Sequence, residues 1–252
     1  MQEVMVSGRT LPEAYHAAVK ALHERADITP CPDYGTTQKE LSMTMVVEEP
    51  LEEPAISRLF IGGYRELEQY CQEMLDGILD FEIDRGNWEY TYHSRMAPQL
   101  DWLRSELKRN PYSRRAVVDI RDWQHDTLPG NDSPACLQHI QYFVREGKLH
   151  CKVLFRSNDA VKATFMNAFA LIKIQERLAG ELGYPVGSYT HRANSFHCYE
   201  RDLELLAGYV DRINNAASPD ELTYDYEGDW AELMEQCRPE IAEAVRRLRK
   251  EN

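Results

Sequence analysis

Cys136 stands in Ser133-Pro-Ala-Cys-Leu-Gln138, and three clusters of polar residues follow it. Phe155-Arg-Ser-Asn-Asp159 brings Arg156 20 residues later, Asn167 follows 11 residues after that arginine, and Phe196-His-Cys-Tyr199 brings His197 another 30 residues on. Upstream, Pro111-Tyr-Ser-Arg-Arg-Ala116 sets two guanidinium groups side by side. Alone, Cys136 reads as a buried structural thiol, because free cysteine packs as a small apolar residue. A thiol attacks only as its thiolate, and with an ordinary pKa of about 8.5 it needs a neighbouring cation at neutral pH. Arg156 is the candidate. The other residues also have structural readings: arginines on an exposed strand end, an asparagine at a helix start, a satisfied core histidine.

The order and spacing of these clusters resemble the thymidylate synthase and pyrimidine nucleotide hydroxymethylase family. Its motifs are Ser-Arg-Arg, Pro-x-Cys, Arg-Ser-x-Asp, an Asn opening a helix, and His-x-Tyr. The resemblance spans roughly residues 90–202, and it rests on the common register of motifs that are individually short. It implies an α+β fold of the thymidylate synthase type, with a mixed sheet packed by helices and a sheet-mediated homodimer. It also implies one catalytic domain over residues 1–252, whose N-terminal third and C-terminal helix diverge. The substrate implied is a pyrimidine nucleoside monophosphate, with 5,10-methylenetetrahydrofolate or a related reduced pterin as one-carbon donor. Uracil C5 is a poor nucleophile, so the thiolate of Cys136 would add at C6 and make an enolate-like ring that attacks the one-carbon electrophile.

Each matching position inherits a role from the resemblance. Arg156, with Ser157, would hold the nucleotide phosphate as well as activate Cys136. Arg114 and Arg115 would reach across a two-fold interface to the partner's phosphate, where guanidinium forks donate paired hydrogen bonds. Asn167 would read the base, its amide donating to O4 and accepting from N3-H, a pattern that favours uridylate over cytidylate. His197 and Tyr199, alternate residues of one strand, would bind the sugar hydroxyl. Asp159 would bond the pterin, and Trp88 would stack on it or sit in the core. Tyr90 is placed at the C5 proton, with Tyr92 as the alternative. No metal is implied.

Several positions depart from the family pattern. Leu137 replaces the usual histidine after the nucleophile, and Asn194-Ser195 replaces Gly-Asp before the His-x-Tyr pair. The N-terminal phosphate loop lacks its arginine, having Pro32-Asp-Tyr-Gly-Thr-Thr37, and Arg25 lies too early to substitute for it. Glu66 and Glu68 are the candidates for the water-ordering glutamate. The chain ends Arg246-Arg-Leu-Arg-Lys-Glu-Asn252, not in the short apolar tail that closes over ligands. Water exclusion separates reduction to a methyl group from hydration to a hydroxymethyl group, so hydroxymethylation of CMP, dCMP or dUMP competes with methylation of dUMP. A nucleotide-binding paralogue without activity is the third reading.

The rest of the sequence supplies the elements that must position these residues. Apolar spacing predicts helices over 11–25, 58–79, 96–108, 163–182, 203–214 and 229–252. Strands are expected over 41–47, 115–120 and 189–199, and over 140–144 and 149–155 joined as a hairpin, with a Pro-rich loop over 29–35. Irregular alternation of strands and helices points to α+β. A net charge of −13 argues against broad nucleic-acid binding, which rests on excess Lys and Arg meeting phosphate. Six scattered cysteines without a C-x-x-C pair suggest neither a zinc site nor a disulfide framework. With no apolar run near 20 residues and no basic, apolar leader at the N-terminus, no membrane association is expected and the cytoplasm is the expected compartment.

Overall fold

A computed structural model describes residues 1–250. Its strands are β1 (Glu3–Gly8), β2 (Asp27–Cys31), β3 (Thr36–Val47), β4 (Ile56–Ser57), β5 (Val117–Asp119), β6 (Leu137–Arg145), β7 (Lys148–Asp159), β8 (Val186–Tyr199) and β9 (Thr223–Tyr224). The helices are α1 (Leu11–Arg25), α2 (Tyr64–Asp76), α3 (Phe81–Asp84), α4 (Tyr92–Arg109), α5 (Trp123–Asp126), α6 (Thr164–Leu182), α7 (Leu203–Asn215) and α8 (Ala231–Leu248). A mixed sheet runs in the order β1-β3-β8-β7-β6-β5, with β2 beside β1 on the free edge of β3, while β4 and β9 form a separate pair. The β1–β3 and β7–β8 pairs are parallel, and the other ladders are antiparallel.

Side-chain alternation decides which face the helices cover. Tyr142, Cys151, Val153, Phe155, Tyr189, His191 and Ala193 are buried, whereas the intervening Gln141, Phe143, Lys152, Leu154, Thr190 and Arg192 are half-buried or exposed. α1 and α6 pack against the buried face, α2 lies on α6, and α8 lies on α2. α6 is apolar enough to be buried along most of its length and stops at Gly183, whose φ of +77° only glycine adopts cheaply. The buried amide of Gln175 pins it to the sheet, because Nε2 donates to the carbonyls of Leu149 at 2.8 Å and Gly187 at 3.1 Å.

Several boundaries differ from the sequence reading. The Pro-rich stretch is a hairpin in which β2 pairs with β3 through a turn at Pro32–Gly35, where Gly35 takes φ +62°. β1 is an additional edge strand whose polar alternate residues gave little signal. The segment 58–79 is helical only from Tyr64, because Gly63 starts the helix in extended backbone and Gly77 ends it at φ +62°. α4 begins at Tyr92, four residues before the expected start, since Thr91 and Ser94 form a capping box there. α8 begins at Ala231 after a short turn, and residues 251–252 of the expected C-terminal helix lie outside the described residues. No described helix is long and apolar enough to cross a membrane.

Besides His197, two histidines are buried as neutral groups. His16 on α1 meets Ser57 Oγ at 2.7 Å, and burial lowers its pKa to about 4. His191 stacks on Phe155 at 4.7 Å and bridges Tyr189 and Asn158 at 2.9 Å each, and burial lowers it to about 3. The unfolded chain takes up these protons near pH 6.5 and the fold does not. Stability is therefore lost as pH falls below 6.5, at about 1.4 kcal/mol per pH unit for each histidine. Urea unfolding should be roughly 2–4 kcal/mol easier at pH 5 than at pH 7. Equal unfolding free energies at the two values would contradict these protonation states.

Candidate active site

Three neighbouring strands bring the sequence-distant clusters into one row. Leu137 pairs with Phe155, Ser157 with Ser195, and Asp159 with His197, so Cys136, Arg156 and His197 stand on successive strands. Two strand spacings of about 4.8 Å, with His197 three residues further along the sheet than Arg156, put Cys136 and His197 about 14 Å apart. The ladders slip at Leu137/His139 and at Leu41/Met43, each slip adding one residue on the strand that carries the site. Such bulges reverse the alternation of faces and re-aim side chains at a strand end.

Arg156 organises the row. Its main-chain N–H donates to the Cys136 carbonyl at 2.8 Å, its Nε to the Ala135 carbonyl at 3.1 Å and a terminal nitrogen to the Pro134 carbonyl at 2.8 Å. Among the described residues it forms no ion pair, so its charge beside the Cys136 segment is not neutralised by a carboxylate. Cys136 is half-buried. Cys71, Cys151, Cys198 and Cys237 are buried, and burial raises all four thiols, Cys71 and Cys198 to about 12. They remain inert thiols at neutral pH. The other half-buried cysteine, Cys31, belongs to the β2–β3 hairpin.

Two tyrosines complete the surroundings of Cys136. Tyr92 accepts a hydrogen bond from Leu137 N–H at 3.3 Å, while the Tyr90 hydroxyl makes a long contact of 3.5 Å to the Ser133 carbonyl. Burial raises the Tyr90 pKa to about 12 and drives that of Tyr92 higher, so both hydroxyls keep their protons at neutral pH. The Tyr90 ring carries the Arg95 guanidinium 3.9 Å from its centroid. Arg95 in turn makes a forked pair with Asp126 at 2.9 and 2.8 Å and donates to the Ile120 carbonyl at 2.9 Å, tying α4 to the segment that leads to Cys136.

His197 is buried, with Nδ1 near Ser195 and Ser157, and its Nε2 has no hydrogen-bond partner among the described residues. Burial also lowers its pKa, so the ring is neutral and one nitrogen can accept while the other donates. Tyr199 lies edge-on to His197 at 4.8 Å, consistent with a shared face. The Thr36 and Thr37 hydroxyls at the start of β3 donate to Glu200 at 3.2 and 3.0 Å. Asn167 is one turn inside α6 and does not cap it, since Thr164 bonds Asn158 and the Asp159 carbonyl at the helix start. Its Oδ1 accepts from the Tyr70 hydroxyl, a contact from α2 that the sequence did not announce.

A groove of about 200 Å³ opens between α2 and the Trp88–Tyr92 segment, lined by Tyr70, Glu73, Met74, Trp88, Tyr90 and Tyr92 among others. Trp88 stands on its rim, 43% exposed, and not in the core. Glu73 faces it with a pKa raised by burial. Flat aromatic walls beside a carboxyl fit a flat heterocycle with hydrogen-bonding edges. The two expected glutamates are engaged elsewhere. Glu66 caps the start of α2 through Gly63 N–H, and the buried Glu68 pairs with Arg238 of α8 at 2.6 Å on another face of the helix. Asp159 closes the turn after β7, its Oδ1 accepting from the N–H groups of Val161 and Lys162 at 3.0 and 2.9 Å.

Arg114 and Arg115 are not part of this row. Both are exposed in a surface cavity with Glu106, Arg109, Tyr112 and Ser113, just before β5. Val117 pairs with Gln141, so the arginines lie near the far end of β6, about 20 Å from Cys136 at 3.4 Å per residue. That is further than an arginine side chain reaches.

Comparison with known proteins identifies the family and the fold. The thymidylate synthase family model matches residues 67–231. A Methanocaldococcus jannaschii thymidylate synthase homologue is 34% identical over 154 residues, covering 58% of this chain and 69% of the relative. Its Methanosarcina barkeri counterpart is 25% identical over 212 residues, covering 83% and 96%. The Bacillus licheniformis thymidylate synthase is 34% identical over 121 residues, or 48% of this chain and 43% of that enzyme. In fold, the chain is similar to thermostable thymidylate synthase A from Bacillus subtilis, with a TM-score of 0.63 at 18% identity, covering 80% of this chain and 84% of that one. The chain therefore belongs to the thymidylate synthase family of enzymes.

Proposed function

We propose that the protein transfers a one-carbon unit to C5 of a pyrimidine nucleoside monophosphate, with dUMP as substrate and Cys136 as nucleophile. The observation that carries this reading is the row itself. A half-buried thiol, an arginine free of carboxylates and a buried histidine with an orphan nitrogen converge where a ring, a charge and a hydroxyl would have to be met. An orphan buried nitrogen costs free energy unless a ligand group supplies its partner.

The residues divide the work. Arg156 holds the carbonyls before Cys136 and favours the thiolate, which adds to C6 and leaves the ring electron-rich at C5. His197 and Tyr199 meet the sugar hydroxyl, Asn167 the base edge, and Ser157 with Arg156 the phosphate. 5,10-Methylenetetrahydrofolate would supply the one-carbon electrophile and, for methylation, the reducing hydride. Trp88 and Tyr90 would flank its ring in the groove, and the unengaged oxygen of Asp159 is the other contact proposed for it. The Tyr90 and Tyr92 hydroxyls, neutral at working pH, would relay the C5 proton without taking it as phenolates. The distance of Arg114 and Arg115 from Cys136 supports their service to a second copy of the chain across the sheet face that no described helix covers.

The function is tested by identifying the products from dUMP, UMP, dCMP and CMP with the folate. A 5-methyl product from dUMP fits the proposal, while a 5-hydroxymethyl product or a preference for a cytidylate would replace it with the hydroxymethylase reading. Cys136→Ser should abolish turnover and leave nucleotide affinity within a few-fold, because the thiolate acts in the covalent step. Retained turnover would remove the nucleophile. The dimer is tested by mixing: Arg115→Ala and Cys136→Ser homodimers should each be nearly inactive, and subunit exchange should restore activity in the one site that combines both intact parts. A monomer at working concentration, or no restoration, contradicts the shared site. Asn167→Asp should lower kcat/KM for dUMP relative to dCMP by roughly ten- to hundred-fold, since a carboxylate repels O4. An unchanged ratio would show that Asn167 does not read the base.

A further inference from the structure

We infer that Tyr70 is a specificity-determining positioning residue: its hydroxyl holds the Asn167 amide with oxygen toward α2 and nitrogen toward the base. The inference rests on the proposed role of Asn167 and adds what decides which end of that amide the base meets.

An asparagine amide can turn over, exchanging donor for acceptor at nearly equal size. Alone it would serve uracil, whose C4 carries a carbonyl oxygen, and cytosine, whose C4 carries an amino group, about equally well. Selection therefore needs a neighbour that distinguishes Oδ1 from Nδ2. Tyr70 is that neighbour, bonded through its hydroxyl to Asn167 Oδ1. A hydroxyl accepts as well as donates, so the preference comes from its other contacts. Among the described residues the Tyr70 hydroxyl has no hydrogen-bond partner but Asn167. Its surroundings are α2, Tyr92 and the Cys136 segment, and burial raises its pKa well above the ordinary phenol value, so its proton stays in place.

With Oδ1 toward Tyr70, that proton is used and Nδ2 is left for the ligand, since Nδ2 donates to no group among the described residues. With the amide reversed, Nδ2 would donate to the tyrosine oxygen and the phenolic proton of the half-buried Tyr70 would have no partner among the described residues. A donor left without a partner is disfavoured by roughly ten-fold or more. The retained orientation offers a donor, which matches the C4 carbonyl of uracil and opposes the C4 amino group of cytosine. Oδ1 keeps a second lone pair, so it can accept from N3-H while bonded to Tyr70. Tyr70 thus acts through Asn167 and need not touch the substrate. It sits on the same face of α2 as Glu73, whereas the expected Glu66 lies a turn earlier and caps Gly63 N–H, and Glu68 faces α8.

The test is the ratio of kcat/KM for dUMP to that for dCMP in wild type, Tyr70→Phe, Asn167→Ala and the double variant. Tyr70→Phe should lower the ratio about ten-fold by freeing the amide to turn, and adding it to Asn167→Ala should change the ratio less than two-fold. A residue that only supported the fold would lower both rates together and leave the ratio alone. An unchanged ratio in Tyr70→Phe, with wild type still preferring dUMP, overturns the inference and leaves the proposed function intact. A wild-type preference for dCMP overturns both. Should Tyr70→Phe not fold, the side-chain amide signals of ¹⁵N-labelled wild type decide. The Asn167 signal, identified by its loss in Asn167→Ala, should shift strongly with dUMP and weakly with dCMP, and equal shifts would overturn the inference.

Discussion

The site depends on one clasp, the Arg156 side chain closed on the carbonyls of Pro134 and Ala135. A guanidinium is always charged and planar, and its donors are spaced to span adjacent acceptors. Using them on backbone oxygens fixes the chain just before Cys136, and leaving them without a carboxylate keeps the positive charge available to a thiolate or a phosphate. A lysine would supply charge without the fork. The clasp also explains how Cys136 can stand at the end of a loop yet be held in place. The backbone bond from Arg156 N–H to the Cys136 carbonyl extends the β6–β7 ladder to that cysteine.

Around the clasp, the sheet provides position and the helices provide chemistry. The β6, β7 and β8 ends bring thiol, cation and imidazole into a row, and the slips in the ladders turn these side chains out of the regular alternation. α6 supplies Asn167 and is fixed by Gln175, while α4 supplies Tyr92 from its first residue and is fixed by the Arg95–Asp126 pair. Burial then sets the proton state of each group. The tyrosines and His197 remain neutral, and burial holds the four core cysteines as thiols. Cys136 is thereby distinguished by its environment and not by its type.

The strands and helices with strong period were legible in the sequence, as were the family motifs on β6 to β8. The β6–β7 hairpin and the end of α6 at Gly183 matched their signals because a turn glycine and an apolar pattern agreed there. Contacts between distant elements were not legible. Nothing in the spacing of Tyr70 announces that α2 lies on α6, nor that Glu66 is used to cap its own helix and Glu68 to pair with α8. The edge strand β1 carried too few apolar residues to register, and Pro30 and Pro32 masked the β2–β3 hairpin because proline is usually excluded from ladders. Tyr90 and Tyr92 stayed open for the same reason. Their difference lies in the cap at Thr91 and the bond to Leu137, which only the folded chain defines.

The central claim is that Cys136 forms a covalent bond to a pyrimidine ring during the reaction. 5-Fluoro-dUMP tests it directly, since the thiolate can add and C5 can take the one-carbon unit, but fluorine cannot leave as a proton does. Intact mass spectrometry followed by peptide mapping, after incubation with 5-fluoro-dUMP and 5,10-methylenetetrahydrofolate, should find nucleotide and folate joined to the peptide that holds Cys136. Unmodified protein, or an adduct on Cys31 or another cysteine, would contradict the account.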